Sequence, residues 1–356
     1  MTHRVLTTIC ELGELQGNWP APRGRRTLPT QEFAWIEAAA TTLLDGDELH
    51  IVVAETDGAR AVAPLVLRTD LDRLEFLGLD AVGETMDFAY EDKHVLAQLA
   101  QGLVELEKPI FLGRLPRDSA TPRALRKAFR GRALSVTRAA TPSLSVKLDA
   151  DWRDPLACLG KRTRSSMRRA RRRADEMGPV EIKIVRPTPE ELPPLLEMAW
   201  AVEAKGWKGR RGSALQSSPV GVFFRRYLAT LAHARRLWMG FLLIGDRVAA
   251  MRFGVELGNR FWSLKTGYDE SVSRAAPGKL LTLATVTDAA EHAHDAVELM
   301  GDPAPWKREW ANETAENVAL AIYPYRSARS AVAFAVDAYG SLRRRFLSAL
   351  SEPKGL

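Results

Sequence analysis

The stretch SRAAPGKLL has the residue types of a turn that binds an anion. An apolar run with helical spacing follows, so the Pro277–Gly278 pair stands at the start of a helix predicted over 279–292. The first amides of a helix have no acceptor within the helix, and the helix dipole adds partial positive charge there. Gly278 would let a ligand approach the backbone closely, while Arg274 and Lys279 add cationic side chains. These residues predict a cradle for a diphosphate; a Pro-Gly pair that only starts a helix is the alternative.

The elements that would position this turn occur twice in the chain. A hairpin over 237–257, a strand over 260–268, the helix, and a strand over 296–301 come in that order. About 187 residues earlier the same order is predicted, beginning with a hairpin over 49–68 and including a helix over 93–107. We therefore predict that the chain contains two copies of one α/β unit.

The two copies differ at the helix start. The first copy has FAYEDKHVL there, with acidic residues and no Pro-Gly pair. We therefore expect the chemistry in the second copy. Since 356 residues are more than one small core needs, we predict two domains, 1–150 and 151–356.

Positive charge is concentrated between the copies. The formal net charge is +7, and KRTRSSMRRARRR at 161–173 has eight basic residues and no acid. We predict a basic linker helix over 155–177 that contacts a polyanion such as CoA phosphates, an acidic carrier protein or RNA. A solvated linker helix is the alternative.

Several classes of site have no support in the sequence. The two cysteines and six histidines have no metal-ligand spacing, so no metal is expected. There is also no Walker loop for a nucleotide and no Ser-His-Asp pattern for nucleophilic catalysis. No apolar run is long enough to span a membrane, and acidic residues interrupt the N-terminal segment. We expect a cytoplasmic protein.

A series of short motifs runs through most of the chain in a characteristic order, and its order and spacing carry more information than any one motif. In the second copy the motifs are Lys161, Arg164 and Arg168 of the basic helix, the E-x-x-x-W-K residues Glu203, Trp207 and Lys208, Tyr268–Asp269 before Pro277–Gly278, and Gly301 with Lys307. The first half adds FAWIEAA near Phe33 and APL at 63–65. Together they resemble the CelD-type branch of the GNAT acyltransferases, which is associated with cellulose biosynthesis.

The resemblance implies two tandem GNAT-like domains, as in the Fem-type peptidoglycan transferases. This is an α/β (α+β) fold in which each domain has a mixed, mostly antiparallel sheet flanked by helices. The first domain would be degenerate and the second catalytic.

In GNAT enzymes an R/Q-x-x-G-x-G/A loop binds the pantetheine diphosphate of the donor. RAAPGK resembles that loop through Arg274 and Gly278, with Pro277 and Lys279 beside them and Arg164 and Arg168 as further donor-binding residues. The second small residue of the loop is missing. Longer acyl-CoA, a phosphopantetheinyl carrier protein and aminoacyl-tRNA therefore stay open beside acetyl-CoA.

The implied reaction is direct attack of an amine on a thioester, which needs a proton acceptor and a stabilised oxyanion. Glu203 is the first candidate base and Asp302 the second. Tyr268 would line the acyl site or protonate the leaving thiolate, and Lys307 would hold an acceptor carboxylate or a donor phosphate. A surface Glu, a capping Asp, a packing Tyr and a solvated Lys are the structural alternatives. The residues expected to contact substrate are Trp207, Lys208 and Trp306, the last standing where the family has a Tyr.

The leading prediction is an N-acyltransferase that moves an acyl group from acyl-CoA or an acyl carrier protein to a small-molecule amine. One alternative is a Fem-like transfer from aminoacyl-tRNA, which would use the arginines of the basic helix directly. The other is a non-catalytic module that binds RNA or a carrier protein.

Overall fold

The computed structural model describes residues 2–21, 26–206 and 215–351. Within them, the strands form a single 13-stranded sheet in the order β1-β2-β3-β4-β6-β13-β7-β12-β11-β10-β9-β8, with β5 beside β3. The strands are β1 (Thr2–Leu6), β2 (Glu48–Thr56), β3 (Ala59–Arg68), β4 (Arg73–Phe76), β5 (Ala89–Tyr90), β6 (Ile110–Pro116), β7 (Ala133–Lys147), β8 (Val180–Val185), β9 (Leu237–Ile244), β10 (Arg247–Leu257), β11 (Arg260–Tyr268), β12 (Ala296–Leu299) and β13 (Glu313–Pro324).

Helices cover both faces of this sheet and enclose its apolar side chains. The helices are α1 (Ile9–Gly13), α2 (Phe33–Thr42), α3 (Leu79–Val82), α4 (Lys93–Glu105), α5 (Thr121–Ala128), α6 (Pro155–Cys158), α7 (Lys161–Asp175), α8 (Leu192–Ala204), α9 (Pro219–His233), α10 (Pro277–Glu291), α11 (Pro305–Arg308) and α12 (Ala328–Ser351). The predicted fold class, a mixed and mostly antiparallel sheet flanked by helices, is confirmed. No described helix has the length and apolar character needed to cross a membrane.

The internal repeat is visible in the strand pairing. In the first copy the hairpin β2–β3 leads to β4, and α4 connects β4 to the parallel strand β6. In the second copy the hairpin β9–β10 leads to β11, and α10 connects β11 to the parallel strand β12. A parallel pair needs such a crossover, because a short turn can join only antiparallel neighbours. The predicted duplication therefore has the same topology in both copies.

Two strands tie the copies together. The C-terminal strand β13 lies between β6 and β7, both of which come from the first half. At its far end β7 pairs with β12 of the second copy, from Leu144–Leu299 to Lys147–Ala296. The sheet thus continues across residue 150 without a break, and the division into domains at that residue stays a prediction.

The predicted helix over 155–177 is two helices. Leu159 and Gly160 have extended backbone, with ψ angles of 147° and 152°, and they separate α6 from α7. Leu159 is buried in the core beside Met167, Ala170 and Ala174, which form an apolar stripe on α7. The break lets the chain turn while Leu159 stays packed, a tertiary effect that helical spacing alone does not reveal.

Candidate functional site

An opening lies between the parallel strands of the second copy. Strands β11 and β12 pair over three residues only, from Arg260–Ala296 to Trp262–Glu298. Beyond Trp262, β11 continues to Tyr268, and no further pairing with β12 is recorded in the described chain. The free edge of β11 can therefore offer backbone groups to a ligand that enters between the strands.

The helix α10 begins at the mouth of this opening, where the sequence predicts the anion cradle. Its N-cap residue Ala276 is in the left-handed region (φ 47°) and supplies no capping side chain. The Lys279 amide donates to the Ala276 carbonyl, and Pro277 has no amide hydrogen, so Gly278 supplies the open amide of this turn within the described structure. A Cβ added at Gly278 would meet only Tyr268 Cδ1, at 3.7 Å. The turn is therefore open to a ligand, with one free amide rather than several.

The corresponding turn of the first copy is closed by its own side chain. The carboxylate of Asp92, the N-cap residue of α4, accepts hydrogen bonds from the amides of His94 (2.7 Å) and Val95 (2.9 Å). A carboxylate at this position satisfies the amides that a phosphate would otherwise bind. The two copies thus share a helix start, but only the second leaves it uncapped.

The charged residues predicted around the cradle are partly engaged in other contacts. Lys279 Nζ lies 2.6 Å from the carboxylate of Glu309. The carbonyl of Arg274 accepts a hydrogen bond from Arg173 Nη1 of the basic helix, at 3.3 Å. The Arg274 side chain is exposed. The basic helix therefore does contact the cradle loop, through Arg173.

The two arginines singled out on the basic helix lie elsewhere. Arg164 Nη1 donates to the Ala157 carbonyl at 3.1 Å and so connects α7 to α6. Arg168 lines a largely apolar groove between α7 and α10, whose floor includes Ile184 and Leu242. Neither residue makes a described contact with the Gly278 turn.

Glu203 lies on the other face of the sheet. In α8 it is 4% exposed, and its Oε2 accepts a hydrogen bond from the Leu215 amide at 3.3 Å. Its Cα lies 3.4 Å from the position of a Cβ on Gly267, which precedes Tyr268 on β11. Because neighbouring strand residues point to opposite faces, Glu203 and the cradle are separated by β11.

Lys307 lies in a cluster of charged groups just after β12. Its ammonium donates to the carbonyls of Met300 and Asp302, the second at 2.9 Å. Burial lowers the Lys307 pKa, although the Glu84 and Asp302 carboxylates oppose this effect. Asp302 itself is 86% exposed in its side chain and lies 3.5 Å from Arg114. Of these two predicted residues, Lys307 is half-buried and Asp302 is exposed.

The first copy supplies two members of this cluster that the sequence did not indicate. Glu84 is buried, and its Oε2 accepts a hydrogen bond from the Gly301 amide at 2.9 Å. Burial raises the Glu84 pKa, while the Gly301 amide, Arg114 and Lys307 act against the increase. A small cavity beside Glu84 and Arg114 is also lined by Trp262 and Gly301. The end of β12 is thus shared between the copies.

Arg252 on β10 is a further residue that the sequence analysis missed. It is fully buried, and its Nε and Nη2 donate to the hydroxyls of Thr266 (2.9 Å) and Thr282 (2.8 Å). Its guanidinium carbon lies 5.9 Å from the centroid of the Trp306 ring, and Lys307 Nζ lies 5.7 Å from the same ring. An arginine inside an otherwise apolar strand, VAAMRFGV, was the signal that could have found it.

Two predicted substrate contacts, Trp207 and Lys208, lie outside the described residues. In the ranges that the structure covers, no group of three or more His, Cys, Asp or Glu side chains is arranged to hold a metal ion.

The second copy also matches a known domain. Residues 161–308 match the sequence profile of the acetyltransferase (GNAT) domain. The protein is accordingly a transferase, with an acyl-transfer fold in its second copy. No curated protein matches the chain.

Solved structures share the fold over nearly the whole length. The C-terminal domain of a putative lysylphosphatidylglycerol synthetase from Agrobacterium fabrum is 12% identical with a TM-score of 0.59, and 92% of this chain and 96% of that one align. FemX is 13% identical with a TM-score of 0.56, over 91% and 97% of the two chains. L-PGS from Bacillus licheniformis is 13% identical with a TM-score of 0.53, over 90% and 99%. At these identities the comparison establishes the fold.

Proposed function

We propose that this protein is an N-acyltransferase that binds a thioester donor between β11 and β12 and transfers its acyl group to an amine. The observation that carries the proposal is the contrast between the two helix starts. Asp92 caps α4 with a carboxylate, whereas α10 has no capping side chain and leaves Gly278 open. An anion could therefore bind at the helix start of the second copy, beside a free strand edge.

The donor phosphates would lie at the Gly278 amide, near Arg274 and Lys279. The pantetheine arm would follow the free edge of β11, whose backbone groups can hydrogen-bond to its amides. Tyr268 lies beside Gly278, so in this arrangement it contacts the phosphate end of the donor rather than the leaving thiolate. Trp306 and Lys307 lie beyond the β11–β12 pairing, at the end where the thioester is expected.

In the reaction, the amine nitrogen attacks the thioester carbon, the C–N bond forms, the C–S bond breaks, and the thiolate leaves. The amine must lose a proton, and we assign its acceptance to the neutral form of Lys307, which becomes more populated as burial lowers the pKa of this side chain. Glu203, on the opposite face, and the exposed Asp302 have weaker support as bases.

The choice of donor remains part of the proposal. Acetyl-CoA, a longer acyl-CoA and a carrier-bound acyl group all present the same phosphopantetheine arm to the cradle. The CelD-type resemblance favours a small-molecule amine as acceptor. We place the reaction in the cytoplasm, in keeping with two cysteines, Cys10 and Cys158, that are both free.

A direct test is the thermal melt of the full chain with CoA, acetyl-CoA and long-chain acyl-CoA. A ligand at a concentration of 100 times its dissociation constant should add about 2.7 kcal/mol to the free energy of unfolding. In a separate assay, adding amines to the protein with its thioester should release free thiol. A melt that none of these ligands shifts would refute the thioester donor.

Aminoacyl-tRNA is the second candidate donor. The observation that favours it is the surface of α7, where exposed arginines outnumber the nearby acids. The variant for this test replaces four of these arginines with Gln: Arg168, Arg169, Arg172 and Arg173. It should bind tRNA more weakly and with a smaller salt dependence, whereas its affinity for CoA should change little. Tight binding of RNA or carrier protein without any transfer would instead indicate the non-catalytic module.

A further inference from the structure

Arg252 is a buried cation without a counterion. It is 0% exposed, and no carboxylate of the described residues forms an ion pair with it. The other buried arginines in these parts of the chain have such partners: Arg73 pairs with Glu75 and Asp337, and Arg114 lies 3.5 Å from Asp302. An uncompensated buried charge is strongly unfavourable, and proteins seldom keep one without a partner.

One nitrogen of this guanidinium has no acceptor. Nε and Nη2 donate to Thr266 and Thr282, but the buried Nη1 has no hydrogen-bond partner in the described residues. Buried donors are almost always satisfied, so an orphaned charged donor indicates a position at which an external acceptor can bind. Burial lowers the Arg252 pKa to about 10, so the side chain is still protonated at neutral pH.

The position of the orphaned donor places such an acceptor in the opening between β11 and β12. Thr282 lies one helical turn inside α10, and its hydroxyl donates to the Gly278 carbonyl at 2.8 Å. Thr266 lies on the part of β11 that has left β12. Trp306, from the segment that follows β12, covers the guanidinium at 5.9 Å. Arg252 is therefore enclosed by the strand, the helix and the aromatic ring that border the proposed donor site.

The fold itself does not require an arginine here. At the offset that relates the copies, Leu65 occupies the corresponding position of β3 and is also fully buried. An apolar side chain therefore satisfies the packing of this architecture, and the charge belongs to the second copy alone. This is the copy that has the uncapped helix.

We propose that Arg252 binds a carboxylate of the substrate inside the opening between β11 and β12. A carboxylate is favoured over a phosphate because a single unpaired positive charge matches a monoanion. The side chain of Lys307, which lies against the same Trp306 ring, already donates to two carbonyls and lies in the field of Glu84 and Asp302. This inference rests on the proposed function, because it assigns the carboxylate to a substrate of the acyl transfer. That substrate is either a dicarboxylic acyl group on the donor or an amino-acid acceptor.

Two binding arms identify the source of the carboxylate. In the first, thermal melts of the full chain compare L-alanine with L-alaninamide and succinate with succinamide, without CoA. In the second, calorimetry compares succinyl-CoA with butyryl-CoA, which differ chiefly in the terminal carboxylate. We expect wild-type protein to prefer the carboxylate member of at least one pair by tenfold or more. A preference in the first arm points to the acceptor, and one confined to the second arm points to the donor.

Two variants test the residue. Arg252→Leu copies the first-copy residue, so we expect it to fold with an unchanged or higher melting temperature and to lose the preference. Arg252→Lys keeps the charge and should keep part of the preference. Equal binding of both members in every pair by wild-type protein, or a preference that survives in Arg252→Leu, would overturn the inference. If neither thioester binds at all, the proposed donor is wrong, and the first arm alone decides the role of Arg252.

Discussion

The substitution Gly278→Val separates the phosphate cradle from the stability of the helix that carries it. A side chain at this position would meet only Tyr268 Cδ1, at an ordinary contact distance of 3.7 Å, so the free protein can accommodate it. Replacing glycine near the start of a helix also changes helix propensity by less than about 1 kcal/mol. We therefore expect the variant to fold and to melt within a few degrees of wild type.

The effect on the donor should be much larger. A valine side chain would occupy the space beside the one open amide of the turn, and the phosphate would lose a charge-assisted hydrogen bond. Such bonds contribute about 1.5–3 kcal/mol, which corresponds to a dissociation constant raised roughly 10- to 150-fold. Calorimetric titration with CoA measures this directly, and Gly278→Ala should give an intermediate loss.

The first copy provides a matched control. His94 occupies the same second helical position in α4 as Gly278 does in α10, is exposed, and has its amide bonded to Asp92. We expect His94→Val to leave both donor affinity and the melting temperature unchanged. Wild-type CoA affinity in a folded Gly278→Val protein would show that the phosphates lie elsewhere, and the assignment of the active copy would then fail.

Two further predictions concern titratable groups. If neutral Lys307 accepts the amine's proton, the rate of transfer should rise with pH towards a pKa below the usual 10.5, and Lys307→Gln should be 10²- to 10⁴-fold slower, as a rough range. A Lys307→Arg variant that keeps the wild-type rate would show that only the charge matters. Asp87 has its pKa raised from 3.8 to about 6 by burial, so between these values the unfolded chain releases a proton that the folded protein keeps. The free energy of unfolding should therefore fall as pH rises through this window, by about 3 kcal/mol at most. Denaturant unfolding should show that Asp87→Asn removes this fall and is more stable than wild type at pH 7. A variant with the same pH dependence as wild type would contradict the prediction.

The regular elements were predictable because their patterns are local. Strand β11 has the predicted ends at Arg260 and Tyr268, and α10 agrees with the prediction to within two residues at its start. From its sequence only the end of β7, SLSVKLD at 143–149, resembles a strand; the part from Ala133 has small and polar residues and is held by pairing with β13.

The candidate site could be proposed from the sequence only where one continuous segment forms it. The turn around Gly278 is contiguous, and its residues could be identified from their types and spacing. Glu84 meets the Gly301 amide across 217 residues, and Arg252 meets Thr282 across 30 residues, through sheet pairing and helix packing. Contacts of this kind leave no periodic pattern in the sequence, so the shared cluster and the buried cation appear only in the folded chain.

The placement of β13 also determines when the protein can finish folding. The first half has the residues of its own hairpin and crossover, and β6 already pairs with β4, but the other edge of β6 lacks its neighbour until residues 313–324 are present. During synthesis, the facing edges of β6 and β7 are therefore exposed until nearly the whole chain has been made. Unpaired edges of this kind associate readily with other strands, and such distant pairings form slowly. The same arrangement predicts that a fragment ending at residue 150 would expose these two edges and aggregate more readily than the full chain.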